Sequence, residues 1–241
     1  MGALRLAIDV MGGDQGPRVI IEGSARAVIE RPDLELALFG PRQRVVAELS
    51  RLPQPLAAAA SRLVVCDAPD TVSQDASAAW ALRSGGKTSM VHMLRYVAQG
   101  YAAAGVSAGN TGALVALARR ELGMLPGFSR PAISTAIPAR GGRRCYFLDL
   151  GANVDSPASR LVDFAMMGAA MAQCMDGINC PRVALFYVGA EATKGSATVR
   201  EADRLLRERA TTLSFAYQGY AEGGDIFQGD IDVMVCDGFV G

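Results

Sequence analysis

Short apolar runs recur along the chain, separated by polar turns and by longer stretches with helical spacing. Such runs are typical of buried β-strands, whereas apolar residues three or four positions apart are typical of helices. The pattern predicts strands at residues 4–10, 34–39, 63–66, 102–107, 132–137, 145–150, 183–188, 213–217 and 231–236. It predicts helices at residues 19–30, 41–51, 75–83, 89–99, 110–122, 158–175 and 198–209.

Strands that alternate with helices are typical of an α/β fold with a mainly parallel sheet and helices on both faces. We interpret residues 1–241 as a single α/β domain. Leu122–Pro131 is rich in Gly and Pro and is predicted to form a hinge or a projecting loop. Its apolar residues Met124, Leu125 and Phe128 fit a core position, an oligomer contact or a tip that touches a membrane.

Ligands of parallel sheets gather at the loops that follow the strands. The loops after five predicted strands combine Gly with Asn, Asp, Lys or Thr. They contain Gly12, Gly13 and Asp14; Gly109, Asn110 and Thr111; Asp149, Gly151, Asn153 and Asp155; Gly189, Glu191, Lys194 and Gly195; and Asp237 and Gly238. Any one of these loops also fits an ordinary turn. Five of them at one edge favour a binding pocket.

The segment from Val106 to Leu114 has the most specific pattern. A strand runs into a Gly/Asn/Thr turn, and a clean helical pattern follows at once. Unpaired N–H groups and the positive end of the helix dipole meet at such a helix start. The segment therefore predicts a site for phosphate or another oxyanion.

The charge and hydropathy of the chain exclude several classes of protein. Lys and Arg together number 24, as do Asp and Glu, so the net charge is zero. A nucleic-acid partner is not predicted, because such surfaces usually show a basic excess. No uncharged apolar run is long enough to cross a bilayer, and the N-terminus lacks the apolar segment of a signal peptide.

Several familiar catalytic and cofactor sites are also missing from the sequence. The five cysteines form no C-x-x-C pair and no zinc set, and we expect them to be reduced and buried. Neither a metal nor a cofactor is predicted, since the strand-end aspartates lack paired spacing and no Walker or G-x-G-x-x-G motif occurs. His92 is the only histidine. We interpret it as structural, which leaves no base for a Ser-His-Asp triad.

Four segments together resemble the PlsX family, the phosphate acyltransferases of bacterial phospholipid synthesis. They are Ala7–Asp14, Ser107–Leu114, Leu148–Asp155 and Val235–Gly241. They occur in the family's order, and the resemblance covers essentially the whole chain.

The resemblance implies a reaction, a fold and partners. Inorganic phosphate attacks the thioester of a fatty acyl–acyl carrier protein, and acyl phosphate forms, which a membrane acyltransferase then uses. The implied fold is the three-layer α/β/α sandwich of the isocitrate/isopropylmalate dehydrogenase type. The family also implies a cytoplasmic homodimer in peripheral contact with the membrane, without a cofactor or a metal.

Phosphate serves as its own nucleophile in this reaction, so the protein must bind it and stabilise the developing oxyanion. We predict Lys194 and Asn110 as catalytic groups. The residues predicted to bind phosphate or substrate are Gly12, Gly13, Asp14, Ser107, Gly109, Thr111, Gly112, Asn153 and Glu191. We expect Asp9 and Asp14 to orient loops rather than to act as bases.

The chain departs from the family pattern at Gln15, where His is usual, and at Tyr187 and Ala190, where Asn and Glu are usual. Family members also continue beyond Gly241, so we expect the chain to be the N-terminal part of a longer domain. Two alternatives stay open. One is an inactive remnant that only binds a partner, and the other is a phosphate acetyl- or butyryltransferase that acts on acyl-coenzyme A.

Lys194→Ala and Asn110→Ala should each lower the rate of acyl phosphate formation about a hundredfold, because one lost oxyanion donor costs roughly 3–4 kcal/mol. The measurement is turnover of the purified variants. Near-normal turnover of either variant would refute the role assigned to that residue.

Overall fold

The computed structural model describes residues 3–153, 156–187 and 196–238. The chain divides into two compact units, Met1–Leu125 and Pro126–Gly241. The boundary falls inside the segment that the sequence predicts as a hinge or projecting loop. The single-domain interpretation and the hinge both stay predictions.

The first unit contains four strands and six helices among its described residues. The strands are β1 (Leu4–Asp9), β2 (Leu34–Gly40), β3 (Leu63–Asp67) and β4 (Ala104–Ser107). The helices are α1 (Pro17–Glu30), α2 (Arg42–Ser50), α3 (Gln54–Ala57), α4 (Ala78–Ser84), α5 (Ser89–Ala98) and α6 (Thr111–Leu122). The strands are all parallel, in the order β3-β2-β1-β4.

Two apolar clusters cover the two faces of this first sheet. On one face α1 contributes Ile21, Ala25 and Val28, whose spacing of three and four residues forms one buried stripe. On the other face α5 contributes Met90 and Met93, and α4 and α6 pack beside it. The first unit is therefore a sheet between two helical layers.

The second unit contains β5 (Ser134–Pro138), β6 (Arg144–Leu148), α7 (Ala158–Asp176), β7 (Arg182–Phe186), α8 (Ala197–Glu208), β8 (Ala216–Ala221) and β9 (Val233–Val235). Its strand order is β5-β6-β9-β7-β8. Only the edge strand β5 pairs in the antiparallel sense. Leu161, Phe164 and Ala165 of α7 pack into the main cluster of this unit.

The mixed α/β fold with mainly parallel strands is thus confirmed. The strands belong to two sheets, which the sequence pattern did not predict. In the described ranges, none of the helices has the length and hydropathy that a membrane-spanning segment needs. Over the same ranges, no three His, Cys, Asp or Glu side chains converge into a group that could hold a metal ion.

The expectation for the cysteines is wrong at two positions. Cys145 and Cys236 are buried in strand environments, as expected, and Cys66 is half-buried. Cys174 and Cys180 are exposed, because they lie on the outer side of α7 and in the turn before β7.

Gly168 lets α7 lie close to its sheet, since a Cβ there would be 2.4 Å from Val233 Cγ1 and 2.9 Å from Leu148 Cδ1. We therefore expect Gly168→Ala to destabilise the protein by about 1–3 kcal/mol through overpacking. Gly23 of α1 is the matched control, because its added methyl group would meet nothing within 4 Å. Gly23→Ala should instead stabilise by about 0.5–1 kcal/mol. Urea unfolding measures both changes, and equal effects would contradict the packing argument.

Candidate functional site

The loops that follow β1 and β4 meet closely in the first unit. A Cβ on Gly12 would lie 2.6 Å from the Gly109 nitrogen and 2.9 Å from Ser107 Oγ. A Cβ on Gly109 would lie 3.0 Å from Met90 Cε. Only glycine at position 12 lets the two backbones approach so closely, whereas the contact at Gly109 involves the flexible end of a methionine side chain.

Asp9, at the end of β1, ties the two loops together by hydrogen bonds. Its carboxylate accepts the Ser107 hydroxyl at 2.7 Å and the Met11 N–H at 3.2 Å. The Ser107 hydroxyl oxygen in turn accepts the Gly109 N–H at 3.1 Å. Asp9 is only 2% exposed, so a buried hydrogen-bond network fixes the positions of the two loops. The structure thus places Asp9 as expected, in a loop-orienting position.

Helix α6 starts directly after the loop that follows β4. Thr111 and Gly112 are exposed in its first turn. The first N–H groups of a helix have no acceptor within the helix, so these two amides are available to an anion. Gly12, Gly13, Asp14 and Ala108 line an adjacent cleft of about 380 Å³.

Asn110 is the N-cap of α6, and both the oxygen and the nitrogen of its side chain form hydrogen bonds within the protein. Its Oδ1 accepts the Ala113 N–H at 2.8 Å. Its Nδ2 donates to the carbonyl oxygens of Gln74 at 2.6 Å and Ala76 at 2.9 Å. Both amide hydrogens are therefore used by the loop before α4. No local pattern indicates these partners, because they lie more than thirty residues away along the chain.

In the second unit, Asp149 organises the loop after β6. The carboxylate is fully buried and accepts N–H groups from Ile133 at 2.8 Å, Ala152 at 3.3 Å and Asn153 at 2.7 Å. The Asn153 side chain donates to Asp149 at 2.9 Å and to the Pro131 carbonyl at 2.8 Å. Asn153 is thus held inside the loop.

Cys236, which follows β9 directly, adds one hydrogen bond to the network around Asp149. Its thiol donates to the Asp149 carbonyl oxygen at 3.2 Å. Burial raises the pKa of the Cys236 thiol to about 12. The thiol therefore stays protonated near neutral pH and is not poised as a nucleophile.

The structure brings the residues predicted for the β1 and β4 loops into one place. These are Gly12, Gly13, Asp14, Ser107, Gly109, Asn110, Thr111 and Gly112. Asn153 lies in the second unit. Glu191 and Lys194 lie outside the described residues, as do Asp155 and Ala190. Their predicted roles, and the joining of all five loops in one pocket, stay predictions.

Tyr187, one of the departures from the family pattern, is accommodated at the end of β7. It is 9% exposed, and its ring lies 6.3 Å from that of Tyr220. Its N–H donates to the Ala221 carbonyl at 2.9 Å. The tyrosine therefore packs with the neighbouring strand.

Comparison with known families gives a match over nearly the whole chain. The model of a family described as "Fatty acid synthesis protein" matches residues 4–241. The phosphate acyltransferase of Stutzerimonas stutzeri is 46% identical over all 241 residues, which cover 65% of that relative. The phosphate acyltransferase of Alcanivorax borkumensis is 44% identical, again over the whole chain, which covers 69% of it. The chain thus spans about two thirds of the length of these relatives.

A solved structure shares the fold. The crystal structure of a branched-chain phosphotransacylase from Enterococcus faecalis matches with a TM-score of 0.58 and 12% identity. The match covers 96% of this chain and 78% of that one. At this identity the likeness shows the fold alone.

Gly12→Ala should weaken binding of inorganic phosphate at the predicted oxyanion site about tenfold, because the new methyl group must push the Ser107–Gly109 loop away from β1. The measurement is the dissociation constant for phosphate by calorimetric titration, with a urea midpoint to monitor folding. Gly23→Ala, where the methyl group is unopposed, should leave this dissociation constant unchanged. An unchanged dissociation constant in Gly12→Ala would show that the close approach of the loops is dispensable.

Proposed function

The chain belongs to the PlsX family of fatty acid synthesis proteins, and we propose that it transfers a fatty acyl group from acyl carrier protein to inorganic phosphate. The observation that carries this proposal is the 44–46% identity over the whole chain to relatives named phosphate acyltransferase. The glycine-lined cleft beside the start of α6 supports it, because that geometry suits a phosphate group.

The proposed reaction needs no nucleophile from the protein. A phosphate oxygen attacks the thioester carbonyl carbon, and a tetrahedral oxyanion forms. The carbon–sulfur bond then breaks, and the sulfur leaves with the carrier protein as a thiolate that takes a proton from water. The protein must hold the phosphate near the thioester and stabilise the oxyanion.

In this proposal the described loops of the first unit hold the phosphate. The N–H groups of Thr111 and Gly112 donate to its oxygens. Gly12 lets the loops after β1 and β4 pack closely enough to form the cleft. Asp9 and Ser107 fix the loop below, so that the donors are in place before the phosphate arrives.

Asn110 has a positioning role in this proposal, and its hydrogen bonds support that role. Its amide caps α6 and anchors residues 74–76, so it orders the N–H donors instead of donating to substrate itself. Lys194 remains the proposed cation beside the developing oxyanion, with Glu191 and Asn153 as proposed substrate contacts. The expected loss of activity in Asn110→Ala then arises from a disordered helix start.

The proposal includes the assembly that the family resemblance implies. The chain forms a homodimer, contacts the membrane peripherally from the cytoplasm, and passes acyl phosphate to a membrane acyltransferase. These features rest on the resemblance and on no contact described above.

The test is an acyl phosphate assay on the purified chain of 241 residues. We expect phosphate-dependent conversion of a fatty acyl–acyl carrier protein to acyl phosphate, trapped as the hydroxamate with hydroxylamine. Omission of phosphate should abolish the product. The same assay with acyl-coenzyme A measures the preference for the carrier.

Two results would contradict the proposal. Faster turnover of acyl-coenzyme A than of the carrier thioester would favour a phosphate acetyl- or butyryltransferase. Retained binding of carrier protein without any acyl phosphate would favour an inactive remnant that only binds a partner.

A further inference from the structure

One stretch of the neutral chain is strongly basic. From Ala76 to Arg120 the sequence contains no Asp or Glu, although the whole chain carries 24 acidic residues. The same stretch contains five cationic side chains, all exposed: Arg83, Lys87, Arg95, Arg119 and Arg120. We call these five residues the basic face.

Hydrogen bonds of Arg95 and Arg120 connect the elements that carry the basic face. Arg120 Nη1 donates to the Leu82 carbonyl at 2.6 Å, which places it at the last turn of α4 beside Arg83. Arg95 Nη1 donates to the Gly86 carbonyl at 3.2 Å, next to Lys87. Cations from α4, α5 and α6 therefore converge on one helical layer of the first unit.

A single carboxylate, Glu121, holds two of these arginines in place. It accepts Arg95 Nε at 2.9 Å and Arg120 Nε at 2.7 Å, and its side chain is only 12% exposed. Burial opposes its ionisation, but the hydrogen bonds from Arg95 and Arg120 outweigh burial and lower the pKa of Glu121. The surface nevertheless keeps an excess of positive charge, because Glu121 is largely buried and Asp70, beside Lys87, offsets only one further cation.

Apolar side chains border the basic face. Leu82 is 42% exposed at the end of α4, and Leu122 is 49% exposed at the end of α6. Arginine is enriched at protein-binding sites, and the two leucines add apolar area that a partner could bury. Fixed guanidinium groups suit an array of carboxylates, since their donors are already oriented.

We propose that the basic face docks a protein surface rich in carboxylates, and that this surface belongs to the acyl carrier protein. The inference rests on the proposed function, in which the acyl group arrives on a protein that must dock before transfer. The basic face and the phosphate loops lie in the same unit, and α6 contributes to both. Charge complementarity of this kind speeds docking and selects the partner.

The test is the double variant Arg83→Glu/Arg119→Glu, assayed with two thioesters. Neither side chain has a described hydrogen-bond partner, so the fold should tolerate the change. With acyl–acyl carrier protein, the KM should rise about tenfold at low salt while kcat stays within about twofold, and high salt should reduce the difference. With the uncharged acyl thioester of N-acetylcysteamine, KM and kcat should not change. Arg44→Glu is the control, since Arg44 is exposed on α2, at the opposite face of the sheet.

Three results would overturn the inference. They are an unchanged KM for the carrier thioester, an equal rise for both thioesters, or an equal rise in Arg44→Glu. Loss of binding to phosphatidylglycerol vesicles with an unchanged KM for the carrier would instead assign the basic face to a lipid surface.

If the proposed function is wrong, the wild-type chain will form no acyl phosphate from either thioester. This result differs from the three that overturn the docking inference. In that case titration with acyl carrier protein decides the inference. Weaker binding by the double variant supports it, and equal binding overturns it.

Discussion

The close approach of the β1 and β4 loops is the constraint on which the candidate site depends. Gly12 and Gly109 bring two backbones into contact, and the hydrogen bond from Ser107 to Asp9 fixes that contact. The position of α6 follows from it, because the helix starts only a few residues after Ser107. A larger side chain at Gly12 would push against the Gly109 backbone and move the helix start and the N–H groups that it presents.

Both units use a strand-end aspartate to organise the next loop. Asp9 and Asp149 are almost completely buried, and in each case N–H or O–H donors of nearby loops surround the carboxylate. Hydrogen bonds to an ionised carboxylate are strong, and loss of one partner leaves a buried charge unsatisfied. Such an aspartate therefore fixes loop geometry more firmly than a neutral side chain would.

The sequence predicted helices and strands better than it predicted which strands pair and which residues share hydrogen bonds. The predicted helices and strands agree with the structure within a few residues, since periodicity and the capping residues are local signals. The short helix α3 was not predicted. Two features depend on pairing between distant segments and could not be predicted. They are the separation of β1 and β6 into different sheets and the antiparallel direction of the edge strand β5. The Asn110 amide shows the same limit: its residue type suited a donor to substrate, but its partners at Gln74 and Ala76 could be seen only in three dimensions.

Charge is distributed unevenly within the first unit, and this distribution suits two different tasks. The loops 11–16 and 107–112 contain no Lys or Arg, so in the proposed reaction neutral N–H groups would bind a phosphate that can still react. A nucleophile paired tightly with several arginines would lose reactivity, because its charge would be stabilised before attack. Four arginines of the first unit lie on α4, α5 and α6, where they can attract an acidic protein without stabilising the charge of the phosphate before attack. Because α6 starts at the phosphate loops and ends in the basic face, one helix links the site of reaction to the surface that would receive the carrier.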